Sequence, residues 1–299
     1  MVTSSYCLNG LFMATDKLKL YTQHSRTWQT NRYVYPVISR RSKGLSIGVN
    51  LNPDKVCNFD CIYCCVDRTV PADTTHVSLN ILREELNHLL ALGLSGQIFQ
   101  QPPFDQTPPE LRRLMDVAFS GDGEPTSFRQ FGLVCRMVAE MLESHGGHGV
   151  KIVVITNATL LQRPAVAEAL DFLDHHNGEI WAKLDAGTEA HYKRVVRSGT
   201  PMSRVLDNIA GAGRKRPVVI QSLFINIDGQ PADDAEIDAY IQRLNDLVAQ
   251  GCQIKLVQVY TIARTTAEAY VTPLSDAAID AIANRIRKTG LNVNAFYGP

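Results

Sequence analysis

From residue 44 onward the chain alternates between two hydrophobic rhythms. Short runs with apolar residues at every second position fall near 45–51, 115–120, 151–156, 180–185, 217–224 and 254–260 and predict strands. Longer runs near 77–92, 128–144, 163–175, 203–213, 234–250 and 275–289 predict helices. A strand followed by a helix, six times over, implies parallel strands joined by right-handed crossovers. Six such units fit an α/β fold of the partial (βα)6 TIM-type barrel kind, with a doubly wound open sheet as the other arrangement.

Side-chain parity favours the barrel. Alternate residues of a strand face opposite sides. Leu45, Ile47, Val49 and Leu51 oppose Ser46, Gly48, Asn50 and Asn52. Ile180, Ala182 and Leu184 oppose Trp181, Lys183 and Asp185, and Lys255, Val257 and Val259 oppose Ile254, Leu256, Gln258 and Tyr260. Parallel strands ordinarily bury apolar residues on both faces. Polar residues gathered on one face toward the strands' C-terminal ends predict a lined cavity opening at that mouth.

Residues 1–43 lack such periodicity. They are mildly basic (Arg26, Arg32, Arg40, Arg41, Lys43) and carry His24 and Trp28. They read either as an N-terminal extension packed on a barrel domain of residues 44–299 or as a solvated leader. The Pro-rich segment 100–110 reads as a connector between the first helix and the second strand.

Composition changes this picture little. Hydrophobic residues make up 45% of the 299 residues and charged ones 20%, enough for an ordinary core, and the formal net charge is zero. A neutral chain argues against a surface built mainly to attract nucleic acid or anionic lipid. No segment approaches the roughly 18 apolar residues of a membrane span, and no charged-then-apolar leader opens the sequence. The expected location is the cytoplasm, away from membranes.

The cysteines change it a great deal. Four of the seven lie within residues 57–65. Crowded thiols in a reducing compartment indicate metal more than disulfides. Cys57, Cys61 and Cys64 have C-x3-C-x2-C spacing just beyond the first strand. Three thiolates so placed suit three irons of a cubane cluster and leave the fourth iron open. Zinc is the alternative, with Cys65 or His76 completing a tetrahedron.

Two motifs in order carry a resemblance. Cys57-Asn58-Phe59-Asp60-Cys61-Ile62-Tyr63-Cys64, with an aromatic before the last cysteine, resembles the signature of the radical S-adenosylmethionine (SAM) superfamily. Gly121-Asp122-Gly123-Glu124-Pro125 after the second strand resembles that family's GGEP motif, with Asp122 at its first glycine. Residues 44–265 more narrowly resemble the tRNA wyosine synthase branch and its uncharacterised bacterial relatives, although the N-terminal region offers only Cys7 toward a second cluster.

The resemblance implies a 4Fe-4S cluster on Cys57, Cys61 and Cys64. It also implies SAM held near Tyr63 at its adenine and near Gly123, Glu124 and Pro125 at its amino group. A low-potential donor such as flavodoxin or ferredoxin would supply an electron, SAM would be cleaved, and a 5′-deoxyadenosyl radical would take hydrogen from a substrate. That substrate is left open among a metabolite, RNA and a peptide, including the glycine of a glycyl-radical enzyme. A zinc-binding module without catalysis is the remaining reading.

Later strand ends supply further candidates. Asn157 either meets the SAM ribose or methionine part or serves a turn. Lys183 and Asp185 either pair with each other or hold the SAM carboxylate and ribose. Gln221, Gln258 and Tyr260 are inward by parity, as ligand contacts or satisfied core polar groups. Arg264 reads as an anion grip or a plain surface arginine. Arg214, Lys215 and Arg216 precede the fifth strand and read as a solvated face; Cys135 and Cys252 read as small buried hydrophobes.

Overall fold

The structure is a computed structural model that describes residues 19–22 and 28–298; Cys7, His24 and Arg26 lie outside the described residues. The first element is a hairpin of β1 (Val34–Ser39) and β2 (Gly44–Val49), paired antiparallel. Thereafter β3 (Leu114–Phe119), β4 (Lys151–Thr156), β5 (Gly178–Lys183), β6 (Val218–Leu223), β8 (Ile254–Tyr260) and β10 (Val293–Phe296) add in parallel. The resulting sheet has eight strands, in the order β1-β2-β3-β4-β5-β6-β8-β10. β7 (Ile225–Ile227) and β9 (Val271–Pro273) form a separate antiparallel pair. The large sheet curls into a partial TIM-type half-barrel.

Helices α1 (Leu79–Ser95), α2 (Phe131–Ser144), α3 (Pro164–Leu173), α5 (Met202–Lys215), α6 (Asp234–Ala249) and α7 (Asp276–Arg287) follow the six predicted strands. A short helix, α4 (Glu189–Val196), is inserted between β5 and α5. Its N-cap is Thr188, whose hydroxyl accepts from the His191 N–H. Segment 100–110 is a connector of short 3-10 turns. Among the described residues no helix is long and apolar enough to cross a membrane.

The outer face of the sheet carries Leu45, Ile47, Val49, Ile152, Val154, Ile180 and Ile220, all buried in one large core with the helices. A second, small apolar cluster of Ala118, Val153, Trp181 and Val219 fills the inside of the curl. It forms a layer between a polar mouth and a polar floor.

At the floor the Glu179 carboxylate accepts from Lys151 at 3.0 Å, Lys255 at 2.6 Å and the Trp181 indole at 3.1 Å. Parity alone had set Lys255 with Val257 and Val259, away from this side. An irregularity in the β6–β8 register between Val218 and Val219 breaks the alternation at Lys255 and brings its ammonium to Glu179. A further correction concerns Arg216, which is buried rather than solvated. Its guanidinium pairs with Asp171, and with Asp174 at 2.7 Å, tying α5 to α3, while Arg214 and Lys215 are exposed. Cys135 and Cys252 are buried thiols, as their settings predicted.

Burial by itself would raise the pKa of Glu179, but Lys255, Trp181 and Lys151 outweigh it and hold the carboxyl below its ordinary value. The folded state is then the more acidic one. Its stabilising effect is present above the unfolded pKa near 4.5 and is lost as pH falls through the lower folded value. Glu179→Gln is expected to cost about 1–2 kcal/mol at neutral pH and to flatten the acid limb of the stability curve. Urea unfolding at a series of pH values measures both, and parallel curves for the two proteins would contradict the assignment.

Candidate functional site

The cysteine loop leaves β2 at Asn50 and is fastened from beneath. Phe59 and Ile62 are buried in the main core. The Asp60 and Ile62 N–H groups donate to Val196 and Val195 at the end of α4, at 3.1 and 2.9 Å, and Cys64 N–H closes a turn on the Cys61 carbonyl at 2.9 Å. With Phe59 and Ile62 gripping the core, Cys57, Cys61 and Cys64 border the cavity.

Two thiols accept hydrogen bonds. Cys57 Sγ accepts from the Phe59 N–H at 3.5 Å, and Cys64 Sγ from the Arg68 guanidinium at 3.1 Å. The remaining Arg68 donors fix the group on the Lys55 and Asp122 carbonyls at 3.0 and 3.2 Å. Burial pushes the Cys61 thiol up to about 12 and raises Cys57 as well. These thiols hold protons until a metal cation displaces them.

The 121–125 segment packs against this loop. A Cβ on Gly121 would sit 2.2 Å from Asn50 Oδ1, and one on Gly123 would sit 2.1 Å from the Val56 carbonyl, so both positions exclude side chains. Asp122 is anchored by the Asn50 amide at 2.5 Å. The buried Glu124 carboxylate accepts from the Thr126 hydroxyl at 2.5 Å, the Thr156 hydroxyl at 2.6 Å and the Asn157 N–H at 2.7 Å. It thus joins the β3 and β4 loops. Asn157 in turn donates its side-chain amide to Asn58 at 2.7 Å, and Asn58 donates to Thr159 at 2.7 Å, locking the cysteine loop to β4.

The third wall comes from β5, β6 and β8. Asp185 accepts from the Tyr63 hydroxyl at 2.5 Å and from the Leu223 N–H at 2.8 Å, and it pairs with Lys183 at 3.2 Å. Lys183 also donates to the Tyr260 hydroxyl at 2.6 Å and lies 5.0 Å from the centre of the Tyr63 ring. Burial opposes the ammonium charge, but Asp185 and Tyr260 outweigh it and hold its pKa above the usual lysine value. Burial, reinforced by Asp185, raises the Tyr63 phenol, which stays a donor.

Cys57, Cys61, Cys64, Tyr63, Gly123, Glu124, Asn157, Lys183, Gln221 and Tyr260 line one cavity of about 300 Å³. The other predicted residues stand behind that wall. Asp185 lies under Tyr63 and Lys183. Gln258 accepts from Gln221 at 3.0 Å as a buried amide pair, and Pro125 begins a 3-10 turn. Sequence reasoning passed over Asn58 and Arg68. Their types carry no signal, although one lies inside the cysteine motif and the other four residues past it.

The donor set fits a cluster. Four cysteines outside any disulfide, Cys57, Cys61, Cys64 and Cys65, border the cavity. His76 is exposed. Among the described residues no three His, Cys, Asp or Glu side chains gather to hold a single metal ion. A zinc draws its thiolates to about 2.3 Å from a common centre. A cubane spreads its thiolate ligands over separate irons.

A curled, mostly parallel half-barrel with a loop of thiols bordering a cavity at its C-terminal mouth defines the class of α/β fold to which this chain belongs. The chain belongs to the radical SAM superfamily, whose family model matches residues 51–244. Two UPF0026 proteins, from two strains of Helicobacter pylori, are each 27% identical over 221 and 216 residues, and each match covers 70% of this chain and 62% of the relative. The chain thus spans less than two thirds of those relatives' length. Among solved structures, a radical SAM methyltransferase from Sphaerobacter thermophilus superimposes with a TM-score of 0.58 at 15% identity, over 88% of this chain and 69% of that one. TYW1 with a lysine-pyruvate adduct bound gives a TM-score of 0.47 at 14% identity, over 84% and 74%.

Asp185→Ala strands a largely buried ammonium and is expected to cost about 3 kcal/mol. Adding Lys183→Met removes the orphaned charge and is expected to recover much of that loss. Chemical denaturation of the two single variants and the double variant measures the coupling. Simple additivity would show that the two side chains do not depend on each other.

Proposed function

We propose that this chain is a radical SAM enzyme: it holds a 4Fe-4S cluster on Cys57, Cys61 and Cys64 and cleaves SAM reductively. The observation that carries this reading is the presentation of three thiols, on a core-anchored loop, to a cavity at the C-terminal mouth of a half-barrel of this family. A cluster held by Cys57, Cys61 and Cys64 would supply the electron for reductive cleavage of SAM, and the 5′-deoxyadenosyl radical so formed would take hydrogen from the substrate. A low-potential flavodoxin or ferredoxin is the proposed electron donor.

The protein's own part is placement. Arg68 donates to Cys64 Sγ and keeps that ligand aimed at the cavity. Tyr63, clamped by Asp185, presents its ring as a flat wall for an adenine. Lys183 offers positive charge to a carboxylate, and Asp185 orients it. Glu124, already saturated by Thr126, Thr156 and Asn157, acts here by shaping the loop whose backbone borders the cavity. Trp181, Val153, Ala118 and Val219 close the inside below the mouth and exclude water from the reacting end.

The test is anaerobic reconstitution with iron and sulfide, followed by dithionite and SAM. The wild type is expected to bind four irons per chain and to form 5′-deoxyadenosine, and Cys61→Ala to lose both. Full product from Cys61→Ala, or none from wild-type protein with a complete cluster, would overturn the reading.

A further inference from the structure

The cavity holds a second set of charged groups, Arg41 and Arg264. Arg41 lies in the turn between β1 and β2, in the stretch read from sequence as an extension, yet its side chain reaches the interior of the barrel. Its guanidinium carbon lies 5.6 Å from the ring centre of Trp181 and 5.1 Å from that of Tyr260. Those rings belong to β5 and β8, on the far wall of the curl. Arg264, just beyond β8, borders the same cavity and is half-buried.

The local charges do not balance. Lys183 is answered by Asp185. Asp116, the buried acid of the neighbouring β3, accepts from the Ser46 hydroxyl and faces Arg41, so one carboxylate stands against the two guanidiniums of Arg41 and Arg264. Arg41 lies against two aromatic faces, and among the described residues no carboxylate comes within ion-pair distance of it or of Arg264. Burial lowers the Arg41 pKa and the Arg264 charge adds to that, against smaller opposing contributions from Tyr260 and Asp116. A guanidinium does not shed its proton in response. Two such cations on one cavity wall are unfavourable when nothing lies between them. They become favourable when an oxyanion accepts from both, because guanidinium forks match carboxylate and phosphate oxygens.

We infer that Arg41 and Arg264 form a subsite in this cavity for an oxyanion of the substrate, a carboxylate or a phosphate. The inference rests on the proposed reaction only in calling the ligand a substrate. It makes the β1–β2 turn part of the site and selects a small anionic molecule over a neutral one. The indole of Trp181 lies against Arg41 and reports on the subsite directly.

The experiment uses the full chain without cluster, carrying Trp28→Phe so that Trp181 is the sole indole. Inorganic phosphate and acetate are titrated separately at constant ionic strength while indole fluorescence is followed. A saturable change with either anion is expected, and which one acts identifies phosphate or carboxylate chemistry. Arg41→Gln and Arg264→Gln should each weaken that binding about tenfold or more, as loss of a charge-assisted contact does. Arg41→Lys, which keeps the charge and loses the fork, should fall between. No saturable response to either anion, or unchanged binding in both glutamine variants with wild-type circular dichroism and melting temperature, would overturn the inference.

Equilibrium dialysis of SAM against the cluster-loaded proteins completes the test. SAM affinity is expected to stay within about twofold of wild type in Arg41→Gln. A loss of SAM equal to the loss of phosphate or acetate would assign the subsite to SAM itself and overturn the inference. A wild type that binds the anion but no SAM would sink the proposed reaction and leave the anion site standing.

Discussion

Asp185 accepts hydrogen bonds from two distant pieces of chain, the Tyr63 hydroxyl of the cysteine loop and the Leu223 N–H at the end of β6, and forms an ion pair with Lys183 at the end of β5. Through Lys183 it also reaches Tyr260 on β8. A buried carboxylate is tolerable only when its lone pairs are matched. Matching them here fixes the distance between the loop that carries the thiols and three neighbouring strand ends. The mouth of the barrel takes its shape from that requirement.

Glu124 plays a comparable part on the opposite side. Its carboxylate draws in Thr126, Thr156 and Asn157, and Asn157 passes the constraint to Asn58 between two of the cysteines. The cysteine loop is therefore held from both flanks, while Phe59 and Ile62 hold it from below. Loops that position reactive groups on a rigid frame are a common solution. In this protein the rigidity comes from buried carboxylates more than from helix or strand.

The electrostatics follow from the same burial. Desolvation keeps the Cys57 and Cys61 thiols protonated, so a metal that binds there must release protons and supply the compensating charge. The guanidinium of Arg41 cannot neutralise itself in that way. Its position against Trp181 and Tyr260 adds a buried positive charge to the cavity that the cysteines border.

Much of the framework was readable along the chain. Six strands and six helices follow from periodicity because burial on the outer face of each strand repeats at every second residue, and burial on each helix repeats at every three to four. The cysteine spacing and the 121–125 segment are contiguous, so their chemistry could be read without a fold. Other elements carried weaker signals: β1 lies in a basic segment without clean alternation, α4 is two turns long, and β10 has only four residues. Lys255 broke parity because a register irregularity lies in its pairing with β6. The partners of Asp185, the reach of Arg41 into the barrel and the bonds of Arg68 and Asn58 depend on residues that are far apart in the chain or carry no signal in their type. The sequence by itself determined which groups can bind metal and which faces must be buried, because both depend on residue type and local spacing. Only the tertiary structure decided which charges meet, since curling the sheet is what brings distant strand ends within hydrogen-bonding reach.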